Sequence, residues 1–210
     1  MSRGYFITFE GGEGCGKSTQ LAMFKDYLND KNVNFISTRE PGGYPLCEKI
    51  RDILLYSGLE ICPEAEFLLF SSARAELVNK VINPALKSGI HVICDRFYDS
   101  SIVYQGGARG LGEDNVRSIT KFAIGELKPD VTIYLDISPI EAFERKGGAD
   151  KTDRMESLGL DFHQKVYEKY HELAKEESDR FLVIDATKSR EEVFNSIVLG
   201  LKEKGVIFNE

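Results

Sequence analysis

Residues 5–25 constrain the fold more than any other stretch. An apolar run, Tyr5-Phe-Ile-Thr-Phe-Glu10, leads into Gly11-Gly-Glu-Gly-Cys-Gly-Lys-Ser18 and then into the helix-forming Thr19-Gln-Leu-Ala-Met-Phe-Lys25. This is GxxxxGK[ST] set between a strand and a helix, a pattern that average residue usage produces by chance in about one per cent of chains this long. Glycines let the backbone curl so that its amides converge, and the helix that follows adds the positive end of its dipole. Together they form an anion cradle. Gly11, Gly12, Gly14, Cys15 and Gly16 supply the backbone, Lys17 reaches the outer phosphates, and Ser18 offers a hydroxyl to Mg²⁺, with Thr19 beside it. The expected ligand is a nucleoside triphosphate. Glu13 is an odd residue for a phosphate cradle, because a carboxylate repels phosphate. It suits the hydroxyl of a second substrate better.

A strand–loop–helix start of this kind belongs to α/β chains, and the rest of the sequence keeps the rhythm. Tyr5–Glu10, Val33–Thr38, His91–Asp95, Val131–Asp136 and Phe181–Asp185 read as short strands buried on both faces. Helical patterns separate them at Lys17–Asn29, Leu46–Tyr56, Pro63–Lys87, Glu113–Ile124 and Leu160–Ser178, and Arg190–Lys204 follows the last strand. Alternating strands and helices predict a doubly wound α/β domain on a parallel sheet. With 210 residues and 42% hydrophobic content, one core is expected. The polar, glycine-bearing stretch from Arg145 to Gly159 breaks the pattern and reads as a lid of about 145–159.

Charge and cysteines limit the partners. The net charge of −7 argues against a general nucleic-acid binder, which needs a basic face. Cys15, Cys47, Cys62 and Cys94 match neither a CxxC pair nor a zinc pattern, so they are expected to be free thiols in a reducing compartment. No apolar run is long enough to span a membrane. The expectation is a cytoplasmic protein with no membrane partner.

Three further features suggest a second, acceptor site. Arg39 follows the second strand in Thr38-Arg-Glu-Pro-Gly-Gly43, where Pro41 and two glycines set a turn. The third strand ends in Asp95-Arg96, an acid placed to hold Mg²⁺ through water and a guanidinium suited to a phosphate. Phe70 and Arg74 lie four residues apart on one helix face, an aromatic ring and a planar cation able to meet a base. The candidates at this point are a kinase for a pyrimidine or other nucleotide, a deoxynucleoside kinase, and a nucleotide-binding switch. Paired acceptor arginines disfavour a nucleoside, which has no phosphate to grip. A guanine switch needs an Asn-Lys-x-Asp segment, and Asn79-Lys80-Val81-Ile82 lacks the Asp.

The chain resembles the thymidylate kinases over nearly its whole length. The matching stretches are Phe9–Gln20, Thr38–Gly43, Leu68–Arg74, Asp95-Arg96 with Asp99-Ser100, Tyr104–Gly106, Asp153-Arg154 and Ile184–Ala186. The resemblance implies a five-stranded parallel sheet of the P-loop kinase type with a short lid, a homodimer, and transfer of a phosphoryl group from ATP to dTMP with Mg²⁺. It implies that Glu13 accepts the sugar 3′-hydroxyl, that Arg39 and Arg96 grip the dTMP phosphate, and that Phe70 and Arg74 meet thymine. Tyr104 would lie under the sugar, Ser100 and Gln105 near the base, and Ala186 beside adenine. Some members carry an arginine directly after the loop carboxylate, where this chain has Gly14. An arginine finger is worth about 10³–10⁵ in rate where one is used. Among the lid cations Arg145, Lys146, Lys151 and Arg154, the resemblance favours Arg154 as the replacement. Lys17, Arg96, Arg154 and Glu13 are thus the expected catalytic set, with Ser18 and Asp95 at the metal.

Overall fold

The computed structural model describes residues 3–146, 155 and 158–208. Its five strands are β1 (Phe6–Glu10), β2 (Phe35–Arg39), β3 (His91–Asp95), β4 (Val131–Asp136) and β5 (Phe181–Asp185). All pair in parallel, in the order β2-β3-β1-β4-β5. The chain leaves central β1 for β2 on one side, returns to β3, then crosses to β4 and β5. Ligand crevices form outside the carboxyl ends of strands where such an order reverses. Here that place lies between β1 and β3.

Helices cover both faces, and side chains alternate along the strands to meet them. Phe6, Val92, Cys94 and Tyr134 face the layer built by α2 (Pro45–Leu55), α3 (Pro63–Leu77), α6 (Glu113–Ile124) and α8 (Leu160–Glu176). Ile7, Phe9, Ile93 and Ile133 face α1 (Lys17–Asp30) and α9 (Arg190–Glu203). Phe6, Phe9 and Phe24 have no exposed surface, and burying each contributes about 1.5–3 kcal/mol. The outer strands differ from the expectation of strands buried on both faces. β2 and β5 are partly exposed because each forms an edge of the sheet.

Local chemistry sets the helix ends. Prolines open α2 and α3 at the first turn, where a missing N–H costs nothing. Ser189 and Glu192 form a capping box on α9. The expected single helix Pro63–Lys87 is interrupted by a π-helical segment, Val78–Ile82, before the short α4 (Asn83–Lys87). Pro84 lacks the N–H that a continuous α-helix needs. Two helical stretches were not expected: α5 (Tyr98–Ser101) running into a second π-helical segment, Ile102–Ala108, and α7 (Pro139–Lys146). Arg145, read as the start of the lid, therefore lies in a helix.

A buried polar chain ties α5 to the central strands. Thr8 and Thr132 share a hydrogen bond of 2.9 Å, and Thr132 also donates to Asp99. Arg180 donates to Asp99 through both terminal nitrogens at 2.8 and 2.6 Å. Asp99 is wholly buried, so this pairing is what makes its burial tolerable.

Candidate active site

The glycine-rich loop adopts the conformation its sequence requires. Gly11, Gly14 and Gly16 all have positive φ. Gly16 begins α1 and no side chain caps that end, so its first amides remain directed at the cleft. Lys17 folds back, donating to the carbonyls of Gly11 and Gly12 at 3.1 Å each. Gly11 and Gly12 thus support the lysine from behind, whereas Glu13, Gly14, Cys15, Gly16, Lys17, Ser18 and Thr19 line the cleft.

At the ends of β2 and β3 stand two arginines in unlike surroundings. Arg39 is half exposed and donates to Glu48 at 2.9 Å. Arg96 lies deeper, with φ of 65°, a left-handed conformation unusual outside glycine. Strain of that kind is tolerated where the surroundings over-determine it. Arg96 Nη2 donates to Glu13 Oε1 at 2.6 Å, Nη1 donates to Ser100 Oγ at 3.1 Å and Tyr170 Oη at 3.4 Å, and the guanidinium lies 5.2 Å from the Tyr104 ring centroid. Burial opposes its charge, but Tyr104, Glu13, Tyr170 and Glu10 hold it protonated more firmly than usual.

Two carboxylates in this network diverge. Burial alone would raise the Glu13 carboxyl, but Arg96 and Lys17 outweigh it and hold it at about 2. Tyr104 also donates to Glu13 at 3.2 Å. Glu10, at the end of β1, is wholly buried and accepts from the Phe97 amide, Ser100 and Tyr170, each at 2.7 Å. Burial and the neighbouring Asp99 push its carboxyl upward in spite of Arg96. Ser100 is therefore committed to the frame around Arg96, although it also borders the cleft.

The third wall comes from α3. Phe70 lines the cleft, and Arg74, only 1% exposed, lies behind the same wall. Arg74 Nε donates to Glu40 at 2.7 Å and Nη2 to Ser101 at 3.0 Å, while Nη1 has no hydrogen-bond partner among the described residues. A buried guanidinium nitrogen left open beside a cleft is a donor waiting for an acceptor. Burial pushes the Glu40 carboxyl up to about 7 although Arg74 works against it, and Glu10 and Asp99 add to the rise. Tyr104 and Gln105, both from the π-helical segment, complete the wall.

These pieces border one cleft of about 700 Å³. Asp95 lines it near the phosphate loop, and its Oδ1 is buried without a donor among the described residues. That orphaned oxygen and the Ser18 hydroxyl are hard ligands of the type Mg²⁺ takes. Among the described residues no cluster of three or more His, Cys, Asp or Glu could hold a metal alone, so phosphates and water would have to complete the shell. Ala186 is buried and does not line the cleft; its carbonyl accepts from Arg145, which does. Arg154 and Lys151 lie outside the described residues.

A family model described as thymidylate kinase matches residues 9–197. The chain belongs to the thymidylate kinase family. It is 44% identical over 203 residues to a thymidylate kinase of Finegoldia magna, covering 96% of this chain and 100% of that one. It is 46% identical over 196 residues to one of Thermoanaerobacter sp. (strain X514), covering 93% and 96%. It is 43% identical over 205 residues to one of Deinococcus radiodurans, covering 98% and 100%. In this thymidylate kinase family member, Glu10, Glu40, Glu66, Ser101, Arg109 and Tyr170 hold the site residues, and sequence reasoning gave none of them that part. A glutamate ending an apolar strand was a usable signal for Glu10. Tyr170 had none, since its partner Glu10 is 160 residues away.

Proposed function

We propose that this chain transfers the γ-phosphoryl group of ATP to dTMP, giving dTDP and ADP. The observation that carries the reading is one continuous cleft among the described residues, which runs from an uncapped helix end with its lysine to a wall of aromatic rings and arginines. The loop amides, Lys17, Ser18 and Thr19 hold the ATP phosphates, and Ala186, set back from the cleft, supports the adenine border through Arg145, which its carbonyl holds. Arg39 and Arg96 grip the dTMP phosphate. Phe70 stacks on thymine while Arg74 and Gln105 address its edge with Ser100 nearby, and Glu13 and Tyr104 face the sugar.

An oxygen of the acceptor phosphate bonds to the γ-phosphorus as the bond to the bridging oxygen breaks, and ADP leaves with those electrons. The acceptor is already anionic near neutral pH, so the chain needs no strong general base. This fits a cleft lined by no histidine among the described residues. What the protein supplies is alignment and positive charge. Ser18 and Asp95 would hold Mg²⁺, which when bound neutralises charge on the phosphate oxygens. Arg154, on a lid of residues 145–159 of a single domain, supplies the cation that Gly14 does not.

The reading extends to a cytoplasmic homodimer. Four free cysteines fit a reducing compartment, and no helix among the described residues is long and apolar enough to cross a membrane. Exposed Leu46 and Ile53 on α2 and Leu68 on neighbouring α3 support self-association. The deciding experiment is a coupled ADP-release assay across dTMP, dUMP, dCMP, UMP, CMP and thymidine. dTMP should give the highest kcat/KM, and a clear preference for another acceptor would overturn the substrate assignment.

A further inference from the structure

Gln105 is 2% exposed, yet it borders the cleft beside Phe70 and Arg74. Its Nε2 donates to Glu66 Oε1 at 2.9 Å. Glu66 is wholly buried on α3, one helical turn before Phe70. Its carboxylate also accepts from Arg109 Nη2 at 3.0 Å and Nε at 3.4 Å. Arg109 is itself fixed, with its guanidinium 5.2 Å from the Phe162 ring centroid. A carboxylate paired to a guanidinium has only acceptors to offer, so Gln105 must turn its NH₂ toward it. No described residue donates to Gln105 Oε1, and that oxygen is not among the buried atoms left without a partner. The carbonyl end of the amide is therefore the end left open to the cleft.

We infer that Glu66, braced by Arg109, is a positioning residue: it locks the Gln105 amide with its carbonyl toward the base and so sets which pyrimidine the site accepts. The inference rests on the reaction proposed above. Arg74 Nη1 is an open donor on the same wall. A donor beside an acceptor matches a base with a 4-carbonyl next to an N3–H. A base with a 4-amino group next to a bare N3 meets two mismatches. A freely rotating Gln105 amide would remove one of them. The ion pair thus acts on specificity without touching the substrate.

The test compares dTMP with dCMP and dUMP in the full chain, by kcat/KM and by calorimetric binding. Glu66→Gln replaces the pure acceptor with an amide that can donate, so Gln105 can flip. The kcat/KM ratio of dTMP to dCMP should fall about 10-fold or more, the size of one buried hydrogen bond made or left unmade. The change should reside in KM, with kcat for dTMP within about threefold. Arg109→Lys keeps the cation and the carboxylate, so it should lower stability but preserve the ratio. If Glu66→Gln does not fold, Glu66→Gln/Arg109→Met replaces the pair by neutral groups and should show the same fall. An unchanged ratio in the folded variant, or an equal fall in Arg109→Lys, overturns the inference. Wild-type preference for a different acceptor would sink the reaction instead. The Glu66 variant would then be read by the dUMP-to-dCMP binding ratio, which needs no turnover.

Discussion

Gly14 occupies the place where some thymidylate kinases carry an arginine, and the geometry shows why one cannot be grafted here freely. Its φ is +74°, and a Cβ added to it would lie 2.8 Å from the Ala142 carbonyl oxygen and 3.2 Å from the carbonyl carbon. A left-handed L-residue costs about 1–2 kcal/mol. Backbone cannot retreat as a side chain can, so the contact adds about 1–3 kcal/mol by analogy with overpacking. The sum is about 2–5 kcal/mol, or roughly 4–20 °C in melting temperature at about 2–4 °C per kcal/mol for a chain of this size. The strain falls on α7, whose Arg145 binds the carbonyls of Ala186 and Thr187. Gly14→Arg should therefore melt earlier and raise the KM for ATP instead of raising turnover. Gly14→Ala separates shape from charge. Gly110→Ala is the control, since Gly110 has φ +77° and no described residue within 4 Å of its added Cβ. Calorimetric unfolding should place Gly14→Ala below Gly110→Ala by about 1–3 kcal/mol, the contact contribution alone. Equal losses, or a Gly14→Arg enzyme as stable and as fast as wild type, would refute the reasoning.

Lys17→Met should cost about 1–2 kcal/mol in unfolding, through its lost bonds to the Gly11 and Gly12 carbonyls, and lower kcat/KM by about 100-fold or more, since it removes positive charge from the loop; steady-state kinetics decides. Arg154→Ala should collapse kcat while dTMP binding stays within severalfold, and an unchanged turnover number would remove Arg154 from the catalytic set. Arg180→Met strands the buried Asp99 charge and should cost about 3–5 kcal/mol in urea unfolding. For Glu13, the folded carboxyl sits at about 2 against an ordinary 4.5, so its stabilisation is present above pH 4.5 and is lost as pH falls toward 2. That shift corresponds to about 3 kcal/mol. Glu13→Gln should flatten this acid limb. It should leave the slope between pH 4.5 and 7 unchanged, where the raised Glu40 carboxyl acts with the opposite sign and loses stability as pH rises.

The strands were readable because runs such as Val131–Asp136 are apolar whichever partner they take. That β2 and β5 form edges was not, because strand order is a property of the whole sheet. The cradle was readable because glycine, lysine and serine at fixed spacing carry their geometry with them. Arg39 and Arg96 were readable as cations at strand ends but not as states: Arg39 rests on Glu48, and Arg96 is buried against Glu13. The residues that brace the site escaped because their partners are remote in sequence. Arg74 meets Glu40 across 34 positions, and Gln105 meets Glu66 across 39. Helix α7 escaped because its eight residues lead into a polar glycine-rich stretch that reads as loop.

The continuity of the cleft has a consequence for inhibition. Among the described residues the phosphate loop and the Phe70–Arg74 side line the same cleft, so one molecule can span both. Two nucleosides joined by a phosphate chain of suitable length would lose translational freedom once, and each half would raise the local concentration of the other. Such a bisubstrate compound should compete with ATP and with dTMP alike. Its affinity should pass through a maximum as phosphates are added one at a time, giving a molecular ruler for the distance between the two nucleoside seats.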